Sequence, residues 1–135
     1  MSVIVSDKGF ASDDWVGPIA DLEDSENAVA VDLASHDDPT ALQERLNSIQ
    51  LIRVDFPSFA DGRGFTIARH LRLLGYTGRL RAKGHVISDQ YAMARRSGFD
   101  EVEISDELAA RQPEGEWNFR ADWQANDYQN RLRTG

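Results

Sequence analysis

The chain has 135 residues, of which 41% are hydrophobic and 28% are charged, and its formal net charge is −8. These values are ordinary for one soluble globular domain, and the acidic balance argues against binding along a nucleic-acid backbone, which requires a basic surface. The sequence contains no cysteine, which excludes disulfides, thiolate nucleophiles and cysteine-bound metal clusters within this chain.

The sequence predicts a cytoplasmic protein without a membrane segment. Its first residues, "MSVIVSDKGF", lack the basic stretch and long apolar run of a secretion signal. No window approaches the ~18 consecutive apolar residues of a membrane-spanning helix.

Apolar runs and turn residues divide the first half of the chain into alternating elements. The predicted elements are a short strand or edge ribbon at Val3–Val5, an acidic loop at 6–27, a buried strand at Ala28–Leu33, a helix that begins at Asp38 and Pro39, and a strand at Leu51–Phe56.

The second half continues the same alternation. The predicted elements are a helix at Arg63–Leu74 ended by Gly75, a strand at Arg79–Ala82, a helix from Ser88 to Arg96, a strand at Glu101–Ile104 whose alternating pattern suggests a sheet edge, and a short helix from Ser105 that Pro113 closes.

Short links between these strands and helices predict right-handed crossovers and a parallel sheet. We therefore predict one small α/β domain over residues 1–115, in two or three layers, with a mostly parallel sheet of about four to five strands. Residues 116–135 contain four aromatic residues and predict a C-terminal arm. This arm either packs on its own domain or crosses to a second subunit in a homodimer.

Parallel α/β sheets bind ligands beyond the carboxyl ends of their strands, which here selects the loops at 32–38, 57–63 and 83–89. The stretch "FPSFADGRGF", residues 56–65, is the most distinctive. Asp61 can cap the following helix, and glycines leave the amides of the first helical turn accessible to an anion. We predict a site for a small anion or a protein partner at Asp61, Gly62, Arg63 and Gly64. The alternative is that both glycines serve turn geometry and packing, with Arg63 solvated.

A locally basic segment at residues 62–96 extends this prediction. Arg81 and Lys83 share one face of their strand and either contribute to the site or are solvated bases at a sheet edge or strand end. Asp89 and Gln90 lie in the first turn of the next helix, where they can contact a ligand or partner.

Other chemistry has weaker support in the sequence. His36, His70 and His85 lack metal-type spacing, and Asp32 and Asp55 could hold Mg²⁺ only with a further ligand. Neither a phosphate-binding loop nor a dinucleotide fingerprint is present. We therefore assign no catalytic residue, no metal ligand and no cofactor, and whether the chain is an enzyme stays open.

The run "FPSFADGRGFTIARHLRLLGYTGRLRAKGHVISDQYAMARRSGFD" resembles the signature of a bacterial family, domain of unknown function 934, over about residues 50–102. Members of that family carry the label of an oxidoreductase involved in sulfite reduction, which rests on gene neighbourhood with sulfur-assimilation enzymes. The chain departs from the family pattern at Lys83, where an apolar residue is usual, and at His85, where an acid is usual. The matching positions are Phe56-Pro57, Asp61-Gly62-Arg63-Gly64, Ala68-Arg69, Leu74-Gly75-Tyr76, Gly78, Leu80-Arg81-Ala82, Gly84, Asp89-Gln90 and Gly98-Phe99-Asp100, with Tyr128-Gln129 near the end.

The resemblance implies an accessory protein of assimilatory sulfite reduction. Its basic segment would dock sulfite reductase or another enzyme of sulfur assimilation, or bind a sulfur oxyanion. One alternative is a small oxidoreductase or anion-binding enzyme with its site at the same loop, although no redox-cofactor motif accompanies the family signature. A further alternative is a homo-oligomeric scaffold held by the aromatic arm.

Overall fold

The computed structural model describes residues 2–121 of the chain. Seven strands and four α-helices form this part of the protein. The strands are β1 (Ser2–Ser6), β2 (Gly9–Ser12), β3 (Ala20–Asp21), β4 (Ala30–Leu33), β5 (Leu51–Phe56), β6 (Arg79–Gly84) and β7 (Glu101–Ser105). The α-helices are α1 (Arg63–Leu73), α2 (Tyr91–Ser97), α3 (Asp106–Arg111) and α4 (Glu114–Ala121), and 3₁₀ helices span Leu22–Asp24, Pro39–Ser48 and Ser88–Gln90.

One mixed sheet contains all seven strands in the order β2-β1-β7-β6-β5-β4-β3. The five strands from β3 to β7 are parallel, and β1 and β2 add an antiparallel hairpin beside β7. The predicted α/β domain with a mostly parallel sheet is therefore confirmed, but the sheet has more strands than the four to five predicted. The additional strands are short and come from the first 21 residues, where the sequence predicts mainly a loop.

The hydrophobic core lies between the helices and one face of this sheet. Successive parallel strands occupy neighbouring positions in sequence order, so right-handed crossovers place their connections on the same face. Apolar side chains of β5 point to that face together with those of β4, β6 and β7 and form one cluster with the helices. Two layers result, a sheet and its helices.

The helices begin and end close to their predicted positions because local signals define them. In α1, Ile67, Ala68 and Leu71 form the buried stripe, and Gly75 follows the helix with a φ of 104°. The Ser105 hydroxyl accepts a hydrogen bond from the Leu108 amide and caps α3. The predicted helix after Asp38 is a 3₁₀ helix, Pro39–Ser48.

The opposite face of the sheet, which we call the charged face, is lined by ionisable side chains from neighbouring strands. Alternation along each strand directs these side chains away from the helices. They are Asp32 of β4, Arg53 and Asp55 of β5, Arg79, Arg81 and Lys83 of β6, and Glu101 and Glu103 of β7.

Two expectations about sheet edges are wrong. β6 is the central strand of the seven, so Arg81 and Lys83 lie away from both edges of the sheet. The alternating strand β7 is also internal, because β1 pairs with it from Ser2 opposite Ser105 to Val5 opposite Val102.

Residues 13–19, which we call the crossing segment, connect β2 at one edge of the sheet to β3 at the other. Asp13 lies 3.3 Å from the Nη1 atom of Arg81, and Asp14 lies 2.6 Å from the Nη2 atom of Arg79. The segment therefore passes over the charged face and helps to exclude water from Arg81, which is 0% exposed.

The end of the described chain continues the domain past the predicted boundary at residue 116. Helix α4 spans that boundary, and Trp117 is buried with its ring centroid 6.1 Å from that of Tyr91. The rest of the predicted arm, with Trp123 and Tyr128, lies outside the described residues. Over residues 2–121, no helix is both long enough and apolar enough to span a bilayer.

Candidate functional site

Three loops meet at the carboxyl ends of β4, β5 and β6, as the parallel sheet predicts. The Nη2 atom of Arg63 donates to the Ser35 hydroxyl over 2.9 Å and connects the first loop to the second. The Gln90 side chain donates to the Phe59 carbonyl over 3.0 Å and connects the second loop to the third. These side-chain bonds hold the three loops together at one end of the sheet.

Asp61 and Arg63 form a closed pair within the predicted site. The Asp61 carboxylate accepts bonds from the amide, the Nε and the Nη2 of Arg63 at 3.1, 3.0 and 2.7 Å. The hydrogen bond from the Arg63 side chain is the main reason that the pKa of Asp61 falls to about 2. Because the Arg63 side chain is 59% exposed, this pair contributes little stability, and an incoming anion can compete with Asp61 for the guanidinium.

The two glycines of the loop occupy different environments. A Cβ atom on Gly64 would lie 2.5 Å from Cζ of Phe56, so this glycine allows α1 to approach β5. A Cβ atom on Gly62 would have its nearest neighbour at 3.9 Å, on Phe65. The close-packing alternative therefore accounts for Gly64, whereas packing places no such demand on Gly62.

The first-turn amides of α1 are less accessible than the sequence suggests. The Arg63 amide donates to Asp61, and the Phe65 amide donates to the Gly62 carbonyl over 3.2 Å. Gly64 is buried. An anion at this corner would therefore depend mainly on side chains rather than on the helix N-terminus.

Arg81 lies on the charged face, on the side of the sheet opposite α1, and the structure does not bring it to the Asp61–Gly64 loop. Its Nε donates to Glu101 over 2.6 Å and its Nη1 to Glu103 over 2.8 Å. Burial disfavours its charge, but the hydrogen bonds to these glutamates outweigh that cost and raise the pKa of Arg81 above its ordinary value. The interpretation of Arg81 as a solvated base is therefore wrong.

Gln90 has a positioning role within the loops. Its Oε1 accepts a hydrogen bond from the Ile87 amide over 3.1 Å, while its Nε2 bonds to Phe59 as described above. Asp89 is exposed in the same 3₁₀ turn. Gln90 thus contacts the second loop, and Asp89 precedes it in the chain.

A concave surface of about 500 Å³, which we call the helix-side groove, lies between α1 and the loop that follows β4. It combines one guanidinium, two imidazoles and two hydroxyls. Its carboxylates already have backbone partners, since Asp37 accepts from the Ala34 amide and Asp38 from the Thr40 amide. The groove is lined by Ser35, His36, Asp37, Asp38, Pro39, Arg63, Thr66, Ile67 and His70.

The sequence singled out Arg63 in this groove but gave no role to His36 and His70. The two histidines are not at metal-type spacing in the sequence, because His36 follows β4 and His70 lies on α1. Position gave a signal only for His36, which lies in the loop after β4, whereas His70 lies in the last turn of α1.

A second concave surface of about 580 Å³, the charged-face cavity, lies on the other side of the loop that follows β4. It is lined by Asp21, Leu22, Glu23, Asp32, Leu33, Ala34, His36, Asp37, Arg53, Asp55 and Lys83. Arg53 binds both oxygens of Asp32, at 2.6 and 2.7 Å, so Asp32 is not open to the Mg²⁺ considered from the sequence. Among residues 2–121, no group of three or more histidines and acids could hold a metal ion.

Comparison with known proteins identifies the family without assigning a reaction. No curated protein matches the chain, and no solved structure matches it. The family described as "Bacterial protein of unknown function (DUF934)" matches residues 30–134, which is most of the chain. The match includes every residue that lines the helix-side groove, whereas Asp21, Leu22 and Glu23 of the charged-face cavity lie before it. The chain therefore belongs to the DUF934 family.

Proposed function

We propose that this protein is a cytoplasmic accessory of assimilatory sulfite reduction that binds a small sulfur oxyanion in the helix-side groove and presents it to a reductase. The observation that carries the proposal is the position of Arg63, which lines the groove with an exposed side chain that is bonded only to Asp61 and to Ser35.

The groove has the donors that a tetrahedral or pyramidal oxyanion requires. The Nη1 atom of Arg63 has no hydrogen-bond partner within the described chain, and guanidinium groups bind oxyanions through paired N–H donors. The imidazoles of His36 and His70 and the hydroxyl of Thr66 lie along the same surface. Because Asp37 and Asp38 already accept backbone hydrogen bonds, they are partly engaged when an anion enters.

The link to sulfur rests on the family. The resemblance of the Asp61–Gly64 loop and its flanks to the DUF934 signature associates the chain with sulfite reduction. No redox cofactor motif accompanies that signature, which favours binding and delivery over independent catalysis. Docking to a sulfite reductase is the corresponding prediction for the partner.

Anion binding is tested by calorimetry and melting temperature with sulfite, sulfate and phosphate. A hydrogen bond to a charged group contributes about 1.5–3 kcal/mol, so Arg63→Ala should weaken sulfite binding by about tenfold or more. Arg69→Ala is the matched control, because Arg69 is an exposed arginine on the same helix that does not line the groove. No binding of any of the three anions, or equal binding by both variants, would refute the proposal.

The role in assimilation needs a test in cells. A deletion strain complemented with Arg63→Ala should grow slowly on sulfite or sulfate as sulfur source, whereas the Arg69→Ala strain should grow normally. Sulfite recovered unchanged after incubation with the purified protein is expected for an accessory. Normal growth of the deletion strain would contradict the sulfur assignment even if the anion binds in vitro.

A further inference from the structure

The charged-face cavity contains several ionisable groups that form no ion pair or hydrogen bond within the described residues. Of its five carboxylates, Asp32 is bound by Arg53 and Asp37 accepts the Ala34 amide. The remaining three have no ion pair or hydrogen bond within residues 2–121. They are Asp21, Glu23 and Asp55.

Lys83 is the corresponding cation. It lies on the central strand between Asp55 on one side and Glu103 on the other, in register with both. Glu103 already accepts from Arg53 and Arg81, and Lys83 itself forms no ion pair within 4.0 Å in the described chain. Lys83 is thus a half-buried residue that lines the cavity and has no ion-pair partner within the described residues.

We propose that the charged-face cavity binds a small α-amino acid in its zwitterionic form. The carboxylate of the ligand pairs with Lys83, and its ammonium group lies against Asp55. Asp55 and Lys83 lie directly opposite each other on neighbouring strands, which are about 4.8 Å apart, so one small ligand that carries both charges can contact both side chains.

Ligands with a single charge fit the cavity less well. A simple anion would satisfy Lys83 but would approach Asp21, Glu23 and Asp55, which repel it. A simple cation would satisfy one carboxylate and leave Lys83 unpaired. The mixed lining therefore selects a ligand that carries both a positive and a negative charge. The exposed carboxylates of Asp21 and Glu23 add negative charge that attracts the ammonium group of the ligand.

This site is separate from the helix-side groove. Lys83 and Asp55 belong to the charged face, whereas Arg63 belongs to α1 on the opposite side of the sheet. Only His36 and Asp37, on the loop between them, line both surfaces. The binding of a ligand in one of these surfaces can therefore be weakened by substitution, and measured, without weakening the binding in the other.

The sequence provides an internal control, because Lys8 and Lys83 are its only lysines. Reductive ¹³C-dimethylation keeps each amine charged and gives each lysine an NMR signal. Titration with glycine should shift the Lys83 signal saturably and leave Lys8, which is exposed, unchanged. Acetate and methylammonium, each carrying one of the two charges, should bind at least about tenfold more weakly than glycine.

Calorimetry on the unmodified protein completes the test. Both Lys83→Met and Asp55→Asn should weaken glycine binding by about fivefold or more, whereas Asp24→Asn, an exposed acid outside the cavity, and Arg63→Ala should leave it unchanged. If acetate shifts Lys83 as strongly as glycine, or if glycine causes no saturable shift, the proposal is overturned. Sulfite binding measured in the same variants reports separately on the proposed oxyanion site.

Discussion

Replacement of Arg81 by methionine tests whether the charged face depends on internal charge pairing. Arg81 is 0% exposed and lies 2.6 Å from Glu101, 2.8 Å from Glu103 and 3.3 Å from Asp13. Methionine fills most of the same buried volume but carries no positive charge, so the negative charges of these carboxylates are less well neutralised. Removal of one partner from a buried ion pair typically costs 3–5 kcal/mol. Since Arg53 and Arg79 still contact the glutamates, we expect the lower end, about 3 kcal/mol.

Urea unfolding and melting temperature provide the assay. A loss of about 3 kcal/mol should lower the melting temperature of a domain of this size by about 10–15 °C. Arg79→Met is the comparison variant. The Arg79 side chain is 28% exposed and pairs with the exposed Asp14 and with Glu101, which keeps its bond to Arg81, so we expect a smaller loss of about 1 kcal/mol.

A second substitution identifies the cause of the loss. If uncompensated negative charge is responsible, adding Glu103→Gln to Arg81→Met should recover at least about 1 kcal/mol, because the amide has the same shape without the charge. A loss below about 1 kcal/mol for Arg81→Met, or strictly additive losses in the double variant, would refute the reasoning.

Two further predictions concern the Asp61–Gly64 loop. Gly64→Ala should destabilise the protein by about 1–3 kcal/mol in urea unfolding, because the new methyl group would lie 2.5 Å from Phe56, whereas Gly62→Ala should be nearly neutral. Arg63→Ala should raise the pKa of Asp61 from about 2 towards 3.8 in a carboxyl NMR titration. The pair stabilises the fold above about pH 4 and loses its effect as the pH falls to about 2, so a variant with an unchanged pKa would contradict the pairing.

The face of the sheet that packs against the helices could be predicted from the sequence, and the charged face could not. Alternation in β5 and the stripe along α1 specify which side chains pack together, and local caps define the helix ends. The glutamates of β7 look like the solvent side of an edge strand, yet Glu101 and Glu103 are only 7% and 6% exposed. Their burial depends on arginines of β6 and on a hairpin far away in the sequence, which no pattern within β7 reveals.

In the candidate site, too, some features follow from the sequence pattern, whereas others depend on the folded structure. Position at the carboxyl ends of parallel strands correctly predicts that the three loops meet. It does not predict that Asp61 binds Arg63, because that pair depends on the loop conformation, or that Phe56 fills the space beside Gly64. Position at the carboxyl ends of strands also does not show by itself that Arg81 lies away from α1. That result follows only when the alternation of side chains along β6 is combined with the strand order.

The antiparallel hairpin and the crossing segment lie before residue 30, where the family match begins. A protein shortened to the matched region would lose β1 and would expose the backbone donors and acceptors of β7 along a new open edge. It would also lose Asp13, so that water could reach the guanidinium of Arg81, which is 0% exposed in the 135-residue chain. Such a fragment should self-associate through strand pairing, so residues 2–29 would protect this sheet edge from aggregation as well as forming part of the fold.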